Sequence, residues 1–287
     1  MTIQILFYVV FIAQIFLLSA YFPGRLIQRM RFIQREYPAS SHPKLYPKSS
    51  NYFQKSISAY RFINTLLFIL GLVIVYYIYE GSLVGEKGIN PMLPWAYFMI
   101  QMMPSLLLEI FGFKMTKLMK QEDIRTHKSA NLAPRHLFDY ISPWLFSAVI
   151  LAYLTMVAFA FYTEDFKFEF GSKAFIVSMI LLVGYVFFFS LITWLIRGKK
   201  TDPYQSQKDR TKTASLVITT LCYTMIACAF FLGFSIAVAT YQLKSMMPVA
   251  MSLFLQFLVV ISTGFMLQNN RLEDIDFDVY KADSTAK

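Results

Sequence analysis

The sequence has few charged residues and very little cysteine. Only 15% of its 287 residues are charged, whereas soluble domains carry about 25%. Its two cysteines, Cys222 and Cys228, lie six residues apart in one apolar run, which on a helix corresponds to a rise of about 9 Å. Because a disulfide joins Cα atoms no more than about 7 Å apart, we expect two free thiols.

The chain also lacks the short motifs of common catalytic sites. No HExxH, Walker A, GxGxxG or GxSxG sequence occurs, so zinc proteases, nucleotide-binding proteins and serine hydrolases have no motif support. The three histidines, His42, His127 and His136, are far apart in the sequence. We therefore predict no catalytic residues, no metal site and no cofactor, and the enzyme class is disfavoured.

The charge that is present is mostly basic, with a formal net charge of +10 and a pI of about 9.4. In a soluble protein this balance would suggest nucleic acid as a partner. Here the lysines and arginines cluster in short segments between apolar runs, as the topology of membrane proteins requires. We therefore expect no nucleic-acid partner.

Long apolar runs dominate the sequence, since 56% of the residues are hydrophobic. A helix needs about 20 apolar residues to cross the hydrocarbon core, and backbone polar groups in lipid must be paired within the segment. The pattern predicts an all-α integral membrane protein, a polytopic bundle of seven transmembrane helices. The predicted spans are 3–22, 60–80, 92–113, 143–163, 174–196, 214–240 and 247–268.

The third predicted span is the weakest, because it contains Pro94, Gln101, Pro104 and Glu109. Six spans plus a re-entrant segment are therefore the alternative. The flanking loops favour a full crossing: only Lys87 is basic before this run, whereas six basic residues follow it. Such a contrast is typical of loops on opposite sides of a membrane.

Basic residues also predict the orientation. Placed alternately, the connecting segments divide the 27 lysines and arginines into 23 on one side and 4 on the other. The positive-inside rule then places the N-terminus outside and the C-terminus in the cytoplasm. We predict one transmembrane bundle over 1–268, an acidic cytoplasmic tail over 269–287 and a multi-pass location in a cell (inner) membrane.

Polar residues on three predicted spans are candidates for a transport path. Gln101, Ser105 and Glu109 follow one another at four-residue steps on the third span, which places them near one helix face. Gln256 lies on the seventh span, and Asn64 and Thr65 lie near the basic end of the second. The alternative is that these side chains bond helix to helix, as is common in membrane bundles. On the transport hypothesis, Glu109→Gln abolishes activity in a folded protein.

Two further sets of residues have structural interpretations. Small side chains on the sixth span favour close helix packing; they include Ala229, Gly233 and Ala237.

After the first span, a basic segment with helical spacing of apolar residues predicts a short amphipathic helix in the headgroup layer. Its arginines, expected to meet anionic lipid headgroups, are Arg25, Arg29, Arg31 and Arg35. We expect the acidic tail to be solvated, with folding back onto the basic loops as the alternative.

Three functional classes remain. A small-solute or ion transporter or channel is the first, because almost all of the chain is membrane-embedded and carries polar faces. An accessory or scaffold subunit of a membrane complex is the alternative, with a membrane protein partner or a homo-oligomer. A lipid-active membrane enzyme is the least supported. The lipid bilayer, including its anionic headgroups, is an expected partner in all three.

Overall fold

The structure is a computed structural model that describes residues 2–85, 88–123, 135–167, 169–198 and 202–282. Within these residues, seven helices are long and apolar enough to cross a membrane, so the chain is an all-α, multi-pass membrane protein. The helices are α1 (Thr2–Phe16, continuing through a π turn at Leu17–Tyr21 into Phe22–Glu36), α2 (Ser50–Tyr79), α3 (Met92–Glu122), α4 (Pro143–Tyr162), α5 (Lys173–Arg197), α6 (Gln207–Thr240) and α7 (Met247–Val259, continuing through a π turn at Val260–Gly264 into Phe265–Asn269).

At the ends with few basic residues, the helices match the predicted spans closely. At their basic ends, α1, α2, α3 and α6 extend beyond the predicted spans. Helix α1 continues to Glu36, α2 begins at Ser50, and α3 continues to Glu122. These extensions lie at the basic ends, where residues such as Lys, Gln and Arg favour the helix. A hydropathy pattern detects only the apolar part of such a helix.

The π turn in α1 has a local cause. Pro23 has no N–H to donate to the carbonyl of Ser19, and its ring crowds that carbonyl. The turn widens instead, and the Phe22 N–H bonds to the Leu17 carbonyl, five residues earlier. As a result the basic segment is continuous with the first span, rather than the separate short helix expected from the sequence.

Helix α3 is unbroken over 31 residues, with Pro104 inside it. A helix of this length extends about 46 Å, more than the roughly 30 Å hydrocarbon core. A re-entrant segment would need a break at which the chain turns back, and Met92–Glu122 has none. A short antiparallel hairpin, β1 (Val84–Gly85) with β2 (Gly88–Ile89), precedes α3.

The chain forms two compact units. The first contains α1, α2 and α3, with residues 202–210 and residues 271–282 of the C-terminal segment. The second contains α4, α5, α7 and α6 from Thr211 onward. In the second unit, Val149, Ile218 and Met225 are fully buried in one apolar core. The Tyr185 hydroxyl donates to the Met225 carbonyl there, at 3.2 Å.

The acidic tail is folded over residues 271–282, so the expectation of a solvated tail is wrong for this stretch. Its Phe277 ring stacks on Tyr37, with 4.1 Å between ring centroids. Its Tyr280 hydroxyl donates to Asp202 Oδ2 at 2.5 Å, and the Asp276 N–H donates to Asp209 Oδ2 at 3.2 Å. Buried aromatic rings and hydrogen bonds to two carboxylates hold the tail on the loops of the first unit.

Candidate functional site

A buried polar cluster joins α1 to α3 within the first unit. Gln14 donates from Nε2 to Gln101 Oε1 at 3.2 Å and to the Pro94 carbonyl at 3.2 Å. Gln101 donates from Nε2 to Ser19 Oγ at 2.8 Å. Gln14 and Gln101 are 0% and 1% exposed. We call Gln14, Ser19 and Gln101 the polar cluster; its amide groups bond to each other instead of to water.

Close packing surrounds the cluster on the α2 side. Tyr97 is almost fully buried, and its hydroxyl donates to the Leu67 carbonyl at 2.7 Å. Gly71 faces this hydroxyl and the side chain of Ile15, and any Cβ there would overlap both. The absence of a side chain at Gly71 therefore lets α2 approach α1 and α3 closely.

The three candidate path residues of α3 lie in different surroundings. Gln101 is buried, Ser105 is half-buried next to the Tyr60 hydroxyl, and Glu109 is exposed. Four residues turn a helix by slightly more than one full turn, so each step rotates the side chain by about 40°. Two steps carry Glu109 roughly 80° away from Gln101, out of the bundle.

Glu109 lies on an apolar outer surface of α3. Leu106, Leu107 and Ile110 beside it are each about half exposed, at 51%, 55% and 51%. Within the described residues, the Glu109 carboxylate has no hydrogen-bond or ion-pair partner. Lys114 follows five residues later, a rise of about 7.5 Å. The exposure of Glu109 and of these neighbours places the carboxylate on the side of α3 that faces away from α1 and α2.

Gln256, the fourth candidate path residue, belongs to the second unit. Its Nε2 lies 3.3 Å from the Ser252 carbonyl and 3.4 Å from Ser252 Oγ. Ser252 is fully buried. These bonds lie within α7 itself, so Gln256 contributes to a polar turn of its own helix.

The small residues of α6 lie against α4. Ala229 is 1% exposed, and Gly233 and Ala237 are half-buried. The three residues line a groove of about 340 Å³ whose other wall includes Met156 and Phe159. A Cβ on Gly233 would meet only Phe159 Cδ1, at 3.9 Å. The contact between the helices is therefore tight at Ala229 and open at Gly233.

The arginines of the basic segment lie mainly on the outside of α1. Arg25, Arg31 and Arg35 are exposed and Arg29 is half-buried. Arg35 pairs with Glu36 at 2.9 Å. The opposite face of the segment is packed inward, with Ile27 in a small apolar cluster with Ile57 and Tyr60. A role in binding lipid headgroups stays a prediction for these arginines.

Gln14 and Ser19 are the members of the polar cluster that sequence reasoning missed. Both lie in the first apolar run, whereas the positive-inside pattern depends only on the arginines that follow this run. An amide side chain inside a hydrophobic span needs a partner in the bundle, and Gln14 carries that signal. The partner itself, 87 residues away in the sequence, could not be inferred.

The structure assembles no metal centre from the residues that it describes, since no three His, Cys, Asp or Glu side chains lie together in a suitable group. His42 belongs to the first unit and His136 to the second, and His127 lies outside the described residues. Comparison with known proteins finds no matching family, no similar curated sequence and no similar solved structure.

Proposed function

We propose that this chain is an accessory or scaffold subunit of a membrane protein complex, and that it meets its partner through the outer face of α3 around Glu109. The observation that carries the proposal is an exposed carboxylate among exposed leucine and isoleucine side chains. The partner is a second membrane polypeptide with a Lys or Arg side chain at the same depth.

The energetic reason is the cost of a charge in lipid. Insertion scales assign about 2.5–3.5 kcal/mol to a charged residue at the centre of a spanning helix. The cost falls toward the interface, but Glu109 has a short side chain and lies about a turn and a half from Lys114. A basic side chain on a neighbouring helix would offset this cost and would also select the partner.

The buried polar groups support the same proposal. A transport path needs polar side chains that reach a water-filled space, whereas the side chains of Gln101 and Gln14 bond to one another and are closed to solvent. Gln101 and Glu109 also lie on different sides of α3. Transport of a small solute or ion stays a prediction with weaker support, and the loss of activity in Glu109→Gln remains its test.

A photo-crosslinking amino acid at Leu106 in the native host tests the proposed interface. The same reagent at Val183, a 69% exposed position on α5, is the matched control. We expect an adduct with one defined membrane protein from position 106 and only lipid adducts from position 183. Glu109→Lys should abolish the protein adduct, and replacing the partner's basic residue with Glu should restore it.

Three outcomes contradict the proposal. Lipid adducts alone at position 106 would mean that the α3 face lies in the bilayer without a partner. Adducts with a second copy of this chain would mean a homo-oligomer instead of a complex with another protein. A charge reversal that fails to restore the adduct would remove the ion pair from the interface.

The orientation and location are part of the same proposal. The uneven distribution of lysine and arginine supports a C-terminus in the cytoplasm and an N-terminus outside, in the inner membrane of a bacterial cell. A reporter fused after residue 287 should be active only in the cytoplasm. Activity in the outer compartment alone would reverse the orientation and with it the side on which the tail lies.

A further inference from the structure

A cleft of about 330 Å³ lies between α1 and α2 in the first unit. Its volume is at the lower end of the range of about 300–1,000 Å³ that is usual for small-molecule sites. The residues that line it come from α1, from just before its π turn to the turns after it, and from α2. They include Phe16, Ala20, Gly24, Arg61, Asn64, Thr65 and Phe68.

The cleft has an apolar end and a polar end. The two helices run in opposite directions: the basic residues lie at the C-terminal end of α1 and at the N-terminal end of α2, and these two ends lie together. Phe16 and Phe68 therefore lie at the inner end, and Arg61 lies at the basic end. A ligand that follows this gradient has an apolar part toward the middle of the helices and a charged group at their basic ends.

Arg61 supplies the charge. Its side chain is exposed, and no hydrogen bond or ion pair joins the guanidinium to another side chain among the described residues. No Asp or Glu occurs in α1 before Glu36 or anywhere in α2, so no carboxylate of these two helices competes for it. A guanidinium presents paired N–H donors that match the oxygens of a phosphate.

The other polar groups at this end are already oriented. Asn64 is 3% exposed and donates from Nδ2 to the Tyr60 carbonyl at 2.8 Å. Thr65 donates from Oγ1 to the Arg61 carbonyl at 3.0 Å. Since the Thr65 proton is used on the backbone, its oxygen can only accept from a ligand. The site therefore suits a group that combines a phosphate with a hydroxyl donor.

We propose that this cleft binds an anionic phospholipid, with its phosphate at Arg61 and the first part of an acyl chain along Phe16, Ala20 and Phe68. Basic pockets between membrane helices are known places for anionic headgroups. The lipid binds as a structural ligand between α1 and α2. This site is separate from the outer face of α3 and does not depend on the partner proposed there.

Gly24 offers a way to block the cleft without a clash. It lines the cleft, and a Cβ added there would meet no heavy atom within 4 Å. Gly112 in α3 is equally open and does not line the cleft. Gly24→Phe and Gly112→Phe are thus a matched pair, one blocking and one neutral. Arg61→Gln and Lys55→Gln are the corresponding pair for charge, since Lys55 is exposed on α2 outside the cleft.

Thermal unfolding of the full chain in a non-ionic detergent measures the binding. Dioctanoyl phosphatidylglycerol is the probe, dioctanoyl phosphatidylcholine tests the headgroup charge, and glycerol phosphate tests the headgroup without its chains. A ligand that binds only the folded state, present at a hundred times its Kd, should raise Tm by roughly 5 °C. We expect this rise with phosphatidylglycerol in the unsubstituted chain, in Lys55→Gln and in Gly112→Phe.

The rise should disappear in Arg61→Gln and Gly24→Phe. Equal rises with phosphatidylcholine would show that only the chains bind, and equal rises with glycerol phosphate would show a free phosphate site; either result overturns the proposal. So does a loss in Lys55→Gln as large as the loss in Arg61→Gln, because the effect would then be general charge attraction.

Discussion

Gln14 in α1 donates a hydrogen bond to Gln101 in α3, at 3.2 Å, in a part of the first unit that is closed to solvent. Because the two residues are far apart in the sequence, this bond joins two spans, and it fixes the rotation of each helix about its own axis. With the bonds that Gln101 donates to Ser19 and Gln14 donates to the Pro94 carbonyl, it also explains why two amide side chains are tolerated inside apolar runs.

Removing one amide should cost more than removing both. Gln101→Leu takes partners from both Gln14 and Ser19, and a buried polar group that loses its partner costs about 1–3 kcal/mol. We expect Gln101→Leu to lower the unfolding free energy by about that amount, and Gln14→Leu with Gln101→Leu to recover part of it. Unfolding of the detergent-solubilised variants measures both values. Additive losses would show that the two amides are not coupled.

Gly71 is expected to tolerate no side chain. In Gly71→Ala the new Cβ would overlap the Tyr97 hydroxyl and approach Ile15 Cγ2 to 2.8 Å, so α2 must shift or Tyr97 must move. We expect a loss of about 1–3 kcal/mol, typical of overpacking. Gly184→Ala is the control: its Cβ meets no heavy atom within 4 Å, and alanine favours the helix. An unchanged Tm in Gly71→Ala would contradict this packing.

The Tyr280 hydroxyl should control release of the tail. Tyr280→Phe removes the hydrogen bond to Asp202, and a bond to a charged group contributes about 1.5–3 kcal/mol. We therefore expect limited proteolysis of the tail to become at least roughly tenfold faster in this variant. Tyr241→Phe, which changes an exposed tyrosine, should leave the rate unchanged.

The Tyr280 hydroxyl should make the same contact sensitive to pH in alkaline solution. Burial, and then the negative charge of Asp202, raise the pKa of Tyr280 above its usual value. A group with a raised pKa in the folded state stabilises that state fully below its unfolded pKa, which for tyrosine is about 10. The contribution of Tyr280 to the protection of the tail from proteolysis should therefore be constant from about pH 7 to 9 and fall above about pH 10. Tyr280→Phe should lack the alkaline loss.

The stripe of small residues in α6 should respond unevenly to larger side chains. The groove beside Gly233 has space, and a Cβ added there would lie 3.9 Å from Phe159 Cδ1, which is an ordinary van der Waals contact. We expect Gly233→Ala to keep or raise Tm and Ala229→Leu to lower it, because Ala229 is 1% exposed. The reverse order would place Gly233 at the tight contact that the sequence pattern suggested.

The spans were predictable because lipid imposes a simple requirement on sequence. Every backbone polar group must be paired within the membrane, so seven apolar runs of sufficient length indicate seven helices, and α1 to α7 follow the expected positions. The basic extension of α1 was expected as a separate short helix, and that of α2 from Ser50 was not predicted, because outside the apolar core hydropathy no longer marks where a helix begins or ends.

The sequence by itself determined the class of the protein, the positions of its helices and the presence of polar side chains in need of partners. Only the tertiary structure decided which partners they have. It directs Gln101 toward Gln14 and Glu109 outward, although both lie in one four-residue series, because a helix turns about 40° further at each step of four. It also folds the tail through Phe277 and Tyr280, since aromatic contacts between distant segments depend on packing that no local pattern records.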